Sequence, residues 1–276
     1  MDVLVTGAFG RAGTAILDAL GQESRYRFRC LDREVPPDGY TEYETVTGDI
    51  ADYPAIEDAF EGIDAVVHLA ALPGSGPWPA IRENNIEGTR NVLEAVDRHG
   101  IECVVFASTN HVVGGYEDEH APALYEEGYD LTIDHHSPRR PDSNYGVSKS
   151  FGEDYGRFAV EYRTAPDRFY ALRIGNLRPA GRDSPYARPE QAVANGEYER
   201  GGPTYEERVN RYKAVWCSRR DFAHLVDCCL QDETVTFDVF YGISNNTRRW
   251  FDLEHARTMI GYEPADDGEA VEAPEH

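Results

Sequence analysis

Tyr145 and Lys149 stand four residues apart in the stretch SNYGVSKSFGED, residues 143–154. On a helix that spacing puts both side chains on one face. An ammonium beside a phenol favours the phenolate, so a group that titrates near about 10 in water can accept a proton closer to neutrality. The chain otherwise avoids lysine. Its 27 basic residues comprise 25 arginines, Lys149 and Lys213. A compact point charge with rotatable donors suits this chemistry, and arginine's rigid fork is a poor substitute. Taken alone, the pair reads as a chance neighbour pair on a solvated helix face.

A second motif adds weight. TGAFGRAG, residues 6–13, carries Gly7, Gly10 and Gly13 at G-x-x-G-x-x-G spacing between a strand-like run and a helix-like run. Such a turn lets a dinucleotide pyrophosphate approach free backbone N–H groups at a helix N-terminus. Asp32 ends the next strand-like run, where a carboxylate accepts from ribose hydroxyls and repels a 2′-phosphate. NAD is therefore expected. Arg33 follows directly and is a side chain able to hold a phosphate, so tolerance of NADP stays open. Cofactor contacts are expected from Phe9, Arg11 and Ala12 in the turn, from Asp49 and Ile50, from Leu69, Ala70 and Ala71, and from Asn85, Tyr145, Lys149 and Ile174.

The elements that must position these groups alternate in type. DVLVT (2–6), YRFRCLD (26–32), TVTGDI (45–50), DAVVHLAA (64–71), ECVVFAST (102–109) and FYALRIGN (169–176) read as strands. Helices are expected over 11–21, 53–60, 79–100 and 143–163, the last with Ser143 as N-cap. Strands alternating with helices imply an α/β fold, a doubly wound parallel sheet of Rossmann type. An NAD-binding domain is expected over 1–175. A small C-terminal substrate-binding region is expected over 176–276, with a mobile acidic tail from about 264. Residues 114–142 and 177–210 show little periodicity. A helix around 220–231, a strand around 236–242 and a helix around 252–260 complete the pattern.

Composition bounds the rest. Fifty acidic residues against 27 basic give a net charge of −23, which argues against nucleic acid and anionic membranes as partners. Acid excess with scarce lysine suggests adaptation to concentrated salt, where at about 1 M the screening length is only about 3 Å. Five cysteines, Cys30, Cys103, Cys217, Cys228 and Cys229, show no metal-ligand spacing; reduced thiols in a cytoplasm are expected, with no metal. No membrane span or signal peptide is expected.

TGAFGRAG, Asp32, FASTNHVVG (106–114) and YGVSK (145–149) resemble the short-chain dehydrogenase/reductase superfamily, in its extended or atypical branch, the NAD-dependent epimerase/dehydratase family. FASTNHVVGGY, NYGVSKSFGE, RIGN (173–176), VWCSRRDF (215–222) and FYGISNN (240–246) resemble uronate dehydrogenases, and at least as closely the haloarchaeal NAD-dependent glucose-6-phosphate dehydrogenases. The resemblance covers residues 2 to 264. It implies a catalytic set of Thr109, Tyr145 and Lys149, with Ser108 just before the hydroxyl position. It further implies oxidation of a sugar at its anomeric carbon to a lactone, with Thr109, Tyr145, Asn110, His111 and Asn176 on the sugar and Arg211 gripping a carboxylate. Members of the family are often dimers or higher, which leaves room for a homo-oligomer. Two departures stand out. Pro73 replaces a substrate-touching serine, with Ser75 nearby, and segment 177–210 is longer and brings Arg178, Arg182, Arg188, Arg200 and Arg208.

The substrate stays open among a uronate, a neutral aldose and a hexose 6-phosphate. A nucleotide-sugar epimerase or dehydratase with tightly bound NAD would use the same set, and a non-catalytic NAD-binding regulator is a third reading.

Overall fold

Residues 1–74 and 76–274 are described by a computed structural model. Seven strands form the main sheet: β1 Asp2–Thr6, β2 Arg27–Asp32, β3 Glu44–Thr47, β4 Ala65–His68, β5 Cys103–Thr109, β6 Arg168–Ile174 and β9 Phe237–Gly242. Every pairing is parallel, in the order β3-β2-β1-β4-β5-β6-β9. The chain moves outward in one direction from β1 to β3 and in the other from β4 to β9. This reversal opens a crevice at the carboxyl ends of β1 and β4. β4 and β5 are buried along their whole length, as expected of apolar strands covered on both faces. β7 Asn176–Leu177 and β8 Trp216–Cys217 form a separate two-residue pairing beside β6.

The helix Asn144–Tyr162 explains how Tyr145 and Lys149 reach the sheet. Ser143 caps it, its hydroxyl accepting from the Gly146 N–H at 3.1 Å. Apart from Lys149 and Glu153 its buried face is made of small residues, with Gly152 and Gly156 at its centre. A Cβ at either would fall 2.2 Å from an aromatic carbon, of Phe106 or Phe169 respectively. The helix backbone therefore rests directly on rings from β5 and β6, and the turn bearing Tyr145 and Lys149 hangs over the end of β5.

Several expectations need correction. The helix expected over 79–100 runs Trp78–Ile81, then a π-helical segment Arg82–Glu87, then Gly88–His99. The piece at 53–60 is helical to Ile56 and 3-10 beyond. Segment 177–210 contains helix Ala187–Ala194 and the start of helix Pro203–Val215. Where the two pack together their buried cluster is Tyr186, Tyr205 and Val209, backed by Val193, Tyr198 and Val271, which is too thin to read as periodicity. The irregular stretch 114–142 opens with helix Gly114–His120.

The boundary expected at 175 does not separate distinct cores. β9 lies in the same sheet, and one apolar cluster runs from Val5 and Ile16 through Leu225 to Phe240. Nor is the tail loose from 264. The N–H groups of Ala265 and Asp266 donate to Asp221, and Asp266 accepts from Ser218 and Arg220. Gly268 N–H donates to Asn246, and Glu269 pairs with Lys213 and Arg248. Its acids find cations, which an acidic composition alone does not reveal. Among the described residues no helix is long and apolar enough to cross a membrane.

Candidate active site

The crevice holds a cavity of about 530 Å³. Gly7, Gly10, Arg11 and Ala12 from the first turn line it, with Leu69 and Ala71 after β4, Thr109, Asn110 and His111 after β5, and Tyr145 and Lys149 from the helix above. Ile174, Asn176, Arg188 and Arg211 close the far side. Fourteen expected site residues thus share one space. Gly7 adopts φ +69°, and a Cβ there would meet the Ala70 nitrogen at 2.8 Å, so the turn tolerates no side chain and its amides stay approachable.

The remaining expected contacts lie around this space. Asp32 accepts from the Phe9 N–H at 2.9 Å and the Glu34 N–H at 3.2 Å, which holds its carboxylate beside the glycine turn. Arg33 faces Asp49 at 3.8 Å and donates to Asn84, so its charge is partly answered within the chain. Ile50 is buried, its carbonyl accepting from Asn91. Gly13 is buried in helix Arg11–Leu20. Asn85 is buried as a clamp: it accepts from Leu72 N–H at 2.7 Å and donates to Leu72 C=O and to Ser148 Oγ. Ser75 lies outside the described residues.

Thr109 and Ser108 are told apart by their partners. Ser108 Oγ donates to Glu153 Oε1 at 2.6 Å, whereas Thr109 Oγ1 accepts from the His111 N–H at 3.3 Å and lines the cavity close to the Tyr145 phenol. Burial pushes that phenol up to about 12, against the pull of Arg11 and Thr109. Burial likewise pulls Lys149 down to about 7. Lys149 is 1% exposed. Its Nζ sits 4.7 Å from the Phe106 ring centroid and 5.9 Å from that of Tyr145, and it forms no ion pair among the described residues. The lowered phenol pKa expected from lysine is therefore not a property of the free chain. Burial opposes both charges, and Arg11 is the cation that acts on Tyr145.

His111 Nδ1 meets Asp142 Oδ2 at 2.6 Å, and its ring stands edge-on to Tyr145. Burial alone would raise the Asp142 carboxyl, but hydrogen bonds from His111 and Ser143 hold it below its usual range. Asn176 Nδ2 is buried with no acceptor, an unspent donor at the cavity wall. Arg211, expected to grip a carboxylate, is engaged elsewhere. Its Nε and one terminal nitrogen fork onto Glu117, which also accepts from the Tyr125 hydroxyl at 2.8 Å. Sequence reading missed Glu117 and Asp142 as partners. It left Arg188, inside the long 177–210 insertion, open between a phosphate ligand and a solvated charge; the structure places it on the cavity wall.

No metal was expected. Among the described residues one group, His135, Asp238 and His255, brings ligand atoms within 4.8 Å of one another, away from this cavity. The two imidazoles are stacked at 3.6 Å with planes 11° apart, so their in-plane lone pairs run parallel rather than converge.

The glycine turn, the acidic group at the end of β2 and the uncompensated lysine fit a nicotinamide dinucleotide. Comparison agrees. Residues 3–230 match the NAD dependent epimerase/dehydratase family. NAD-dependent glucose-6-phosphate dehydrogenase of Haloferax volcanii is 36% identical, covering 96% of this chain and 93% of that protein. Uronate dehydrogenase of Pseudomonas syringae is 31% identical over 98% and 84%. L-arabinose 1-dehydrogenase (NAD(P)(+)) of Haloferax volcanii is 34% identical over 98% of each. A tyrosine-to-alanine mutant of Agrobacterium tumefaciens uronate dehydrogenase, complexed with NAD, superposes with a TM-score of 0.74 at 25% identity, covering 99% and 91%. Matching the family over residues 3–230 and these enzymes along nearly its whole length, the chain belongs to the NAD dependent epimerase/dehydratase family and is an NAD-dependent oxidoreductase acting on a sugar CH–OH group.

Proposed function

We propose that this enzyme oxidises an aldose or aldose derivative at its anomeric carbon, giving a lactone. The observation that carries the reading is the gathering of Thr109, Tyr145 and Lys149 on one cavity under the glycine turn. When bound, NAD supplies the acceptor for the hydride that leaves C1. Gly7, Gly10, Arg11 and Asp32 would hold its phosphates and ribose, and Lys149 its second ribose.

Tyr145 takes the proton of the anomeric hydroxyl. Thr109, beside the phenol on the same cavity, holds the same oxygen and keeps it within transfer distance. Asp142 fixes the ring of His111 by its 2.6 Å contact, and the free edge of that ring then faces a sugar hydroxyl. Asn176 contributes its unspent amide donor. The wall that meets the sugar comes from 176–215, so the substrate region is an insertion on the sheet rather than a separate core.

An epimerase reading has less support. After β6 the chain returns to the sheet as β9, leaving a short segment to hold a nucleotide. The surplus of 50 acids over 27 bases and five unpaired thiols support a salt-adapted enzyme of the cytoplasm. NADH appearance at molar salt, with uronates, neutral aldoses and hexose phosphates, tests the proposal. Net NADH formation that Tyr145→Phe abolishes is expected. Turnover without net NADH would mean an epimerase or dehydratase.

A further inference from the structure

In this acidic protein, carboxylates answer most arginines. Seventeen of the 25 lie within 4.0 Å of one among the described residues. Four of the others lie near one another, two of them on the cavity wall. Arg11 and Arg188 line it. Arg178 follows β7 directly, and its Nε is buried with no acceptor. Arg11, Arg182 and Arg188 all lie close enough to Arg178 to weaken its hold on its proton, adding to the effect of burial. Mutual repulsion and partial burial make such a gathering of unanswered guanidinium groups costly unless a bound anion relieves it.

The pyrophosphate of the cofactor answers some of this charge, and Arg11 on the glycine turn is placed for it. It carries two negative charges, which leaves two of the four arginines over. Arg211, the group suited to a single carboxylate, is already forked onto Glu117. Two free planar forks match the three oxygens and double charge of a phosphate monoester. Resting on the dehydrogenase reading above, we propose that the substrate is an aldose phosphate, its phosphate held by Arg178 and Arg188 at the cavity mouth. Specificity for the anion then comes from the 177–210 insertion.

The test compares glucose 6-phosphate, glucose and glucuronate as substrates at molar salt, in the wild type and in Arg178→Gln and Arg188→Gln. Neither arginine has a carboxylate partner, so both variants should fold; their melting temperatures check this. Expected is a preference for glucose 6-phosphate expressed mainly in KM, with inorganic phosphate competing against the sugar and not against NAD. Each variant should lower the ratio of kcat/KM for glucose 6-phosphate to that for glucose by roughly 10- to 100-fold. NADH from glucose or glucuronate with no gain from phosphate overturns the phosphate assignment while leaving the dehydrogenase reading intact. A rise in KM for NAD in place of the sugar phosphate assigns these arginines to the cofactor and also overturns it. No NADH from any sugar removes both.

Discussion

Lys149 and Arg173 are both cations sealed from water, at 1% and 2% exposure. They differ in what answers them. Arg173 on β6 forks onto Glu153 through two 2.9 Å bonds and donates a third to Tyr241. Lys149 stands one helical turn before Glu153, yet that carboxylate turns to Arg173 and Ser108. A buried charge meant to hold the structure is completed by the chain itself. One meant to meet a ligand is left short of partners. The same contrast separates Arg211, closed onto Glu117, from Arg188 on the same cavity and from Arg178, whose Nε is buried without an acceptor.

Replacing each cation should break the comparison in opposite ways. Lys149→Met is expected to cost about 10²- to 10⁴-fold in kcat, the usual worth of a positioned acid–base apparatus, while leaving the melting temperature level or higher. Lys149→Arg should fail to restore turnover. If Lys149→Met instead unfolds the protein as Glu153→Gln does, the two cations are alike and the contrast is lost. Glu153→Gln leaves Arg173 uncompensated and should destabilise by about 3–5 kcal/mol, read by denaturant titration.

A smaller effect concerns acid. His68 is buried and neutral, bridging Thr6 at 2.8 Å and Thr89 at 3.1 Å. Burial pulls its pKa from 6.5 down to about 3. The unfolded chain takes up this proton first as pH falls. Stability is therefore full above 6.5 and is lost towards 3, by on the order of a few kcal/mol. Thermal melts of His68→Gln should show a shallower acid slope. Lys149 follows the same sign at higher pH: folded near 7 against 10.5 unfolded, it adds stability as pH climbs between those values, and Lys149→Met should remove that slope.

The smallest effect sharpens the contrast between the arginines. Glu117→Gln should free Arg211 and lower KM for a uronate by roughly 5- to 10-fold, about 1 kcal/mol.

Local signals carried much of this site. Gly7 marks a left-handed turn and Gly13 a close backbone approach, both readable from residue type, and Tyr145 and Lys149 lie one helical turn apart. Ser143 was legible as a cap for the same reason. What was hidden is non-local. Glu117 and Arg211 are separated by 94 positions and His111 and Asp142 by 31, and no periodicity links such pairs. The arginine cluster joins residue 11 to residues 178–188 only once β6 has brought the insertion back over the first turn. Helix Pro203–Val215 escaped notice because its buried residues are few, Tyr205 and Val209 followed only at its end by Ala214 and Val215.

The docked stretch 265–269 bears on the order in which the molecule is finished. Glu269 ties Lys213 and Arg248, and Asp266 secures the start of helix Arg219–Gln231. These residues pin the segment that carries Arg211 and Tyr212 into the cavity wall. During synthesis the cofactor half is available while the far wall still waits for its fastener to leave the ribosome. A nascent chain stalled before residue 265 should thus bind dinucleotide before it can discriminate between sugars.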